Sequence, residues 1–321
     1  MNRVGIIKRS GFANLGFGTG AMRVLLECLK HHNVEVIKLM GCSAGSFLLP
    51  LEAIGLFEES LEAWLNLTPD KIAKLRKLSL IRHPFKRPSI LDSGPLREYA
   101  NKLLEPNLDL IFSNTAIPFE IITTDLKTGD GVYFGNTREN KNILLDICMA
   151  SAALVPLLPP VQINGLSLVD GAFSDDMPIK RLVDSGCDLI FVVDVYSGIP
   201  EFSVPFKELA WPDLILRTSQ ISIDQHSRLR LDANQRINQE IGFFNNVRGI
   251  DAAAQILNSF NEYLKIEQYS ECKIVFVRGE TPIERIGFHE FQTIDQTNLV
   301  EIGYWAAKTA LKKLNLDFDG V

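Results

Sequence analysis

Ser43 lies within Gly41-Cys42-Ser43-Ala44-Gly45, a G-x-S-x-G spacing. The chemistry of that spacing is nucleophilic: a hydroxyl lifted on a tight turn, with neighbours small enough to let chain and substrate come close. A serine nucleophile needs a base, usually histidine oriented by a carboxylate. The chain has five histidines, and only His226 and His289 follow a mid-chain acid in the order serine, acid, histidine. Neither sits in a glycine-rich or plainly buried turn. Asp170 is more suggestive. It closes the strand-like Leu168-Val169 and precedes Gly171-Ala172, small residues that let a second segment approach its carboxylate. On residues alone, Asp170 serves equally well as a structural turn aspartate, while a strand-to-helix setting favours a catalytic Ser43 over a structural glycine turn.

Both residues need elements that hold them. Residues 36–40 form an apolar run that predicts a buried strand entering the serine turn, and Ser46-Phe47-Leu48-Leu49 predicts a helix leaving it. The N-terminus of such a helix would add N–H donors and positive dipole near a developing oxyanion. Further strands are predicted over 4–7, 119–123, 132–134, 189–195 and 274–277. Helices are predicted over 21–31, with Met22, Leu25, Leu26 and Leu29 on one face, and over 96–104, 177–185 and 299–314. Strand and helix alternate, so the expectation is an α/β fold with a mostly parallel sheet covered on both faces. Residues 210–269 read as mainly helical before 274–277 returns to the sheet, which suggests one domain with a helical extension.

Composition narrows the function classes. A chain of 321 residues, 46% apolar and 22% charged, is globular and long enough for a large core. A net charge of −6 argues against nucleic acid as a partner. Residues 1–9 are too short in apolar character for a secretory signal. The longest uncharged run, 147–169, is broken by Pro156, Pro159 and Pro160 and reads as buried strand and loop rather than a membrane span. Cys28, Cys42, Cys148, Cys187 and Cys272 are scattered, which suits reduced thiols in a cytoplasmic protein. Cys42 reads as a small apolar residue of the turn. His31-His32 are adjacent and diverge by about 100° on a helix, so no metal site is expected. No cofactor is expected either.

In order, spacing and flanks these pieces resemble the patatin-like phospholipases. That family's pattern is a Gly-rich oxyanion loop, then G-x-S-x-G, then D-G-[GA]. Here the loop is Gly11-Phe12-Ala13-Asn14-Leu15-Gly16, the elbow has Gly41 and Gly45 around Ser43, and the third motif is Asp170-Gly171-Ala172. Thr123-Thr124-Asp125-Leu126-Lys127-Thr128-Gly129 and Ile90-Leu91-Asp92-Ser93-Gly94-Pro95-Leu96 are also similar to family blocks. The resemblance covers about the first 200 residues. It implies a three-layer α/β/α sandwich with a mostly parallel central sheet. The catalytic core would span 1–200, and 201–321 would be a helical extension with a returning strand, packed on the same domain. It also implies a Ser–Asp dyad without catalytic histidine: Ser43 as nucleophile, Asp170 as base, and the 11–16 loop beside Ser43 as oxyanion hole. The activity implied is hydrolysis of lipid or small acyl esters through an acyl-enzyme. Asp170 should then lie about 2.6–3.2 Å from the Ser43 hydroxyl, with His226 and His289 elsewhere.

The sequence departs from the pattern G-G-G-x-[RK]-G at Phe12, Ala13 and Leu15, and Asp175-Asp176 replace the family's asparagines. Those departures imply a weak or specialised hydrolase, or a lipid-binding or scaffold member of the same fold. Two other features have their own readings. Gly16-Phe17-Gly18-Thr19-Gly20-Ala21 fits a dinucleotide fingerprint, but it lies too far from the first strand and lacks the acid at the second. The stretch 71–87 carries Lys71, Lys74, Arg76, Lys77, Arg82, Lys86 and Arg87 with no acid, and Ile72, Leu75, Leu78, Ile81 and Phe85 recur at near-helical spacing. It reads first as a solvated helix face with core contacts, and alternatively as an amphipathic flap on anionic membrane.

Overall fold

A computed structural model of the chain describes residues 3–10, 15–72, 74–75, 89–194, 272–279 and 296–316, with residues 218, 221, 223 and 225. Strand β1 (Arg3–Ser10) leads to helix α1 (Leu15–His31) and strand β2 (Glu35–Ser43). Short helices α2 (Leu49–Glu52), α3 (Phe57–Leu65) and α4 (Pro69–Ile72) follow, then a small ladder of β3 (Lys74–Leu75) with β4 (Leu91–Asp92). Next come α5 (Gly94–Leu104), α6 (Leu108–Ile111), β5 (Phe119–Asp125), β6 (Gly131–Gly135), α7 (Leu144–Ser151), β7 (Val161–Ile163) and β8 (Leu166–Asp170). The described chain closes with α8 (Ile179–Asp184), β9 (Leu189–Asp194), β10 (Lys273–Val277) and α9 (Gln296–Lys312).

The main sheet has the order β10-β9-β1-β2-β5-β8-β7, with β6 pairing β5. From β10 to β5 every pairing is parallel; β6, β7 and β8 add antiparallel ladders. Alternate residues feed two cores. Ile6, Leu39, Ile121 and Phe191 face a larger core with Phe17 and Leu25 of α1, Trp64 of α3, Leu96 of α5, Ile147 of α7 and Ala307 of α9. Ile7, Met40, Ile122 and Ile190 face a smaller one with Ile179 and Leu182 of α8. Helices therefore cover both faces, in three layers.

The long helices cross closely because glycines remove side chains at the contact. A Cβ on Gly20 of α1 would lie 2.1 Å from the Val300 carbonyl oxygen, and one on Gly303 of α9 would lie 2.1 Å from that of Phe17. This backbone-on-backbone contact explains why Gly16 to Ala21 lies inside a buried helix. It is not a phosphate loop.

The structure differs from the sequence expectations at several elements. Helix α1 begins at Leu15 and not near 21, because its glycines sit under Trp64, Lys8 and α9. The uncharged run 147–169 is not all strand and loop: Ile147 to Ser151 belong to α7, and only the end forms β7 and β8. The expected single helix after the serine is also broken. A 3-10 turn over Ala44–Ser46 and the four-residue α2 replace it. The Ser46 hydroxyl donates to the Ser43 carbonyl at 2.7 Å, closing the turn locally. Of the stretch 210–269 only four single positions lie within the described residues.

Candidate active site

The register along β5 explains how two distant residues meet. β2 runs parallel to β5 and reaches Cys42 opposite Ile122. β8 runs antiparallel to β5 and reaches Asp170 opposite Thr123. β6 occupies the other edge of β5 across the same residues, so β2 and β8 share one edge and meet end to end. Ser43 and Asp170 are the last residues of those two strands. The Ser43 hydroxyl donates to Asp170 Oδ2 at 2.7 Å.

Ser43 is held in a costly backbone conformation, φ 55° and ψ −137°. A non-glycine residue there carries roughly 1–3 kcal/mol of strain, which persists only where surrounding bonds fix it. Three such bonds surround the turn. The Ser43 N–H donates to the buried Ser151 hydroxyl at 3.1 Å, the Ser46 hydroxyl holds the Ser43 carbonyl, and the Asp170 N–H donates to the Ala153 carbonyl at 3.1 Å. Residues 151–153, leaving α7, thus brace both strand ends. The flanking glycines are steric. A Cβ on Gly45 would lie 2.6 Å from the Lys8 carbonyl oxygen, and one on Gly171 would lie 2.3 Å from that of Ile122. Gly171 is where the chain leaving Asp170 crosses β5. Thr124 fixes the same corner, its hydroxyl within hydrogen-bond reach of the Asp170 carbonyl at 2.8 Å.

Asp170 is 2% exposed. Burial pushes its carboxyl up from the ordinary 3.8 to about 7. The Ala172 N–H, at 2.9 Å from Oδ1, and the Ser43 hydroxyl pull the other way, and the charge of Asp176 adds to the rise. Asp176 is itself paired with Arg9 at 2.7 Å, and Arg9 reaches Asp194 at 3.2 Å. Asp175 accepts from the Tyr133 hydroxyl at 2.7 Å. Burial, followed by the charge of Asp170, also pushes the Cys42 thiol well up. Cys42 therefore stays protonated on the smaller-core face. A carboxylate titrating near neutrality against a serine hydroxyl is an arrangement able to accept a proton at physiological pH.

Behind the turn, Lys8 of β1 and Glu52 of α2 form an ion pair at 2.5 Å, both fully buried. Burial raises the Glu52 carboxyl and lowers the Lys8 ammonium, while their mutual attraction opposes both shifts. Sequence reasoning passed over this pair and Ser151. The signal for Lys8 is its period-two phase with Val4 and Ile6, which puts an ammonium on the core face. The signal for Ser151 is the small-residue run Ala150-Ser151-Ala152-Ala153.

Gly11, Phe12, Ala13 and Asn14 lie outside the described residues, as do His226 and His289. Leu15 and Gly16 are buried in the first turn of α1. Ala172 is half-buried in the short 3-10 turn that follows Asp170. Of the basic stretch 71–87, residues 73 and 76–87 lie outside the described residues; Lys71 donates to the Asn66 carbonyl and its ammonium lies 5.2 Å from the Tyr99 ring centroid. Among the described residues no helix is long and apolar enough to cross a membrane, and no cluster of metal-ligating side chains occurs. None of the five cysteines forms a disulfide.

Comparison with known proteins bears on the same region. The family model for patatin-like phospholipases matches residues 9–183. An uncharacterized NTE family protein of Mycobacterium tuberculosis (strain H37Rv) is 23% identical over 221 residues, 67% of this chain and 54% of that protein. The chain thus spans about half the length of the curated relatives it matches. Lysophospholipase NTE1 of Saccharomyces cerevisiae is 46% identical over 49 residues, 15% of this chain and 3% of that protein. Among solved structures, VipD from Legionella pneumophila superposes with a TM-score of 0.49 at 12% identity, over 97% of this chain and 67% of that chain.

Proposed function

The chain belongs to the patatin-like phospholipase family, and from that premise we propose that it is a serine acyl hydrolase acting on lipid or small esters, with Ser43 as nucleophile and Asp170 as its base. The observation that carries the reading is the 2.7 Å contact between the Ser43 hydroxyl and a buried Asp170 whose carboxyl is pushed up to about 7.

The reaction runs in two halves. Asp170 takes the Ser43 proton as Oγ bonds to the ester carbonyl carbon. The tetrahedral adduct collapses, the carbon–oxygen bond to the alcohol breaks, and Asp170 returns the proton to the departing alkoxide. The acyl group is now an ester of Ser43. Water then gives a proton to Asp170 and adds to the same carbon. Collapse frees the carboxylic acid and Ser43 recovers its proton. The strained Ser43 backbone keeps Oγ fixed, so little reorientation is needed before attack. The oxyanion donors in this reading come from the loop Gly11, Phe12, Ala13, Asn14, Leu15 and Gly16.

The family reading extends to cell biology. Lipid or small esters are the substrate class; the basic stretch 71–87 is read first as a solvated face and alternatively as a contact for anionic membrane, and the scattered cysteines support a cytoplasmic protein. Residues 1–200 form the catalytic core and 201–321 pack on the same domain; β10 lies in the sheet beside β9, which supports this. A second reading keeps the fold and drops the chemistry. Phe12 and Ala13 in place of glycines favour a lipid-binding or scaffold member, since losing one oxyanion donor typically costs about 10²–10³ in kcat.

Hydrolysis of a short-chain nitrophenyl ester decides between them. Turnover that disappears in Ser43→Ala, with the wild-type protein labelled at Ser43 by a fluorophosphonate, is the expected result. Equal turnover by both proteins removes the enzyme reading.

A further inference from the structure

The segment that leaves Asp170 is fastened along its whole length. Gly171 passes close over the Ile122 carbonyl of β5, and the Ser174 hydroxyl lies 2.8 Å from that of Thr124. Asp175 accepts from Tyr133 of β6, and Asp176 pairs with Arg9 Nε of β1 at 2.7 Å. β2 lies between β1 and β5 in the sheet. Residues 171–176 therefore cross the end of β2, where Ser43 sits, and Met177 then packs with Cys42 and Ile7 in the smaller core. The crossing brings a buried carboxylate to the dyad, because Asp176 is 1% exposed.

A row of alternating charge ends at that carboxylate. Arg278, just past β10, reaches Asp194 at 2.7 Å; Asp194, the last residue of β9, reaches Arg9 at 3.2 Å; Arg9 reaches Asp176. Arg9 lies opposite both Asp194 and Cys42 in the sheet register, so the row runs along the strand ends toward Ser43. A guanidinium stays charged at every working pH and favours the anion of its partner. Asp176 is thereby kept as a fixed negative charge. Among the described residues, the other charged and titratable groups facing this corner are Asp175 of the same segment, Arg9 of β1, the Cys42 thiol of β2 and Tyr133 of β6. β5 and α7 present the Thr124 and Ser151 hydroxyls.

We propose that Asp176, anchored by Arg9, is a positioning residue whose fixed charge sets the pH at which Asp170 becomes an anion. The proposal rests on the hydrolase reading for the use made of that ionisation. A like charge disfavours a second ionisation nearby. Burial is the main cause that pushes the Asp170 carboxyl up, and the charge of Asp176 adds to it. Without that charge Asp170 ionises at lower pH and is a weaker base at neutrality. Arg9 stays paired with Asp194 when Asp176 is replaced, so its cation is not stranded.

The test follows two readouts against pH in the full chain. One is the rate at which a fluorophosphonate labels Ser43. The other is the carboxyl carbon-13 shift of Asp170, identified as the aspartate signal missing from Asp170→Asn protein. In Asp176→Asn both midpoints should fall by about half to one pH unit. Asp175→Asn removes the same charge from a half-buried neighbour, where water screens it, and should move them much less. Asp176→Ser is the second variant, used if Asp176→Asn does not fold. A merely structural residue would lower the labelling rate at every pH and leave the midpoints in place. That result in a folded variant overturns the proposal, as does an equal shift in Asp175→Asn. A wild type that is never labelled, with the carbon-13 midpoint still lower in Asp176→Asn, sinks the hydrolase reading and leaves the role of Asp176 standing.

Discussion

Two carboxylates are buried on either side of the Ser43 turn, and their partners differ. Glu52 faces an ammonium: Lys8 lies at 2.5 Å and both side chains are fully buried. Among the described residues, Asp170 accepts only from neutral donors, the Ser43 hydroxyl and the Ala172 N–H, and its carboxyl is pushed up to about 7. A buried carboxylate beside a cation is locked as one half of a pair and ties β1 to α2. A buried carboxylate beside a hydroxyl is poised to change its protonation state. The same desolvation thus yields a static tie in one place and a candidate base in the other, and the neighbour decides which.

The comparison breaks most visibly if the two carboxylates are removed in turn. Asp170→Asn should lower kcat for ester hydrolysis at least about 10³-fold while leaving the fold intact. It should also change stability with a defined sign. The folded-state pKa of Asp170 lies above its unfolded value of 3.8. The stability it contributes is therefore present below about pH 4 and lost as pH rises through about 7. Melting curves of wild type against Asp170→Asn should show the wild type losing ground between those pH values and no further above them. A wild type that gains ground over that interval would place the carboxyl pKa below normal.

Glu52→Gln or Lys8→Met should act the other way, on stability before activity. Each strands one buried charge, at a cost of about 3–5 kcal/mol. The double replacement Lys8→Met with Glu52→Leu should recover most of that loss in urea unfolding, because no charge is left behind. If the single variants unfold no more easily than wild type, the pair is not the tie described.

Ser151→Ala sharpens the comparison at smaller scale. It leaves the Ser43 N–H buried without its acceptor, worth about 1–3 kcal/mol, and loosens a strained turn. A roughly ten-fold fall in kcat, with Ser151→Thr restoring part of it, is expected in steady-state assays.

Much of this was legible in the chain, for physical reasons that also mark where legibility stops. The apolar runs of β1, β2 and β9 stand out because parallel central strands are buried on both faces; β6 is antiparallel and β10 lies at the sheet edge, and both stand out by their short apolar runs. Ser43 and Asp170 stand out because small residues flank them, and the close approaches at Gly45 and Gly171 show why they must be small. The meeting of β2 and β8 on one edge of β5 is a long-range fact that local spacing does not encode. The start of α1 was hidden because its glycines look like a loop, yet they make room for Trp64, Lys8 and α9. The break after Ser43 was hidden because its cause is a side-chain bond, Ser46 to the Ser43 carbonyl. Nothing local marks Lys8 as one half of a buried pair, since its partner is contributed by an element far along the chain.

The central claim is that a buried, neutrally partnered Asp170 makes Ser43 nucleophilic. The rate at which a fluorophosphonate labels Ser43, followed from pH 5 to 9, tests it most directly. The account predicts a rate that rises with pH through an apparent pKa of about 7 as Asp170 ionises, and a low, flat rate in Asp170→Asn protein that still melts cooperatively. Equal labelling of the two proteins across that range would contradict it.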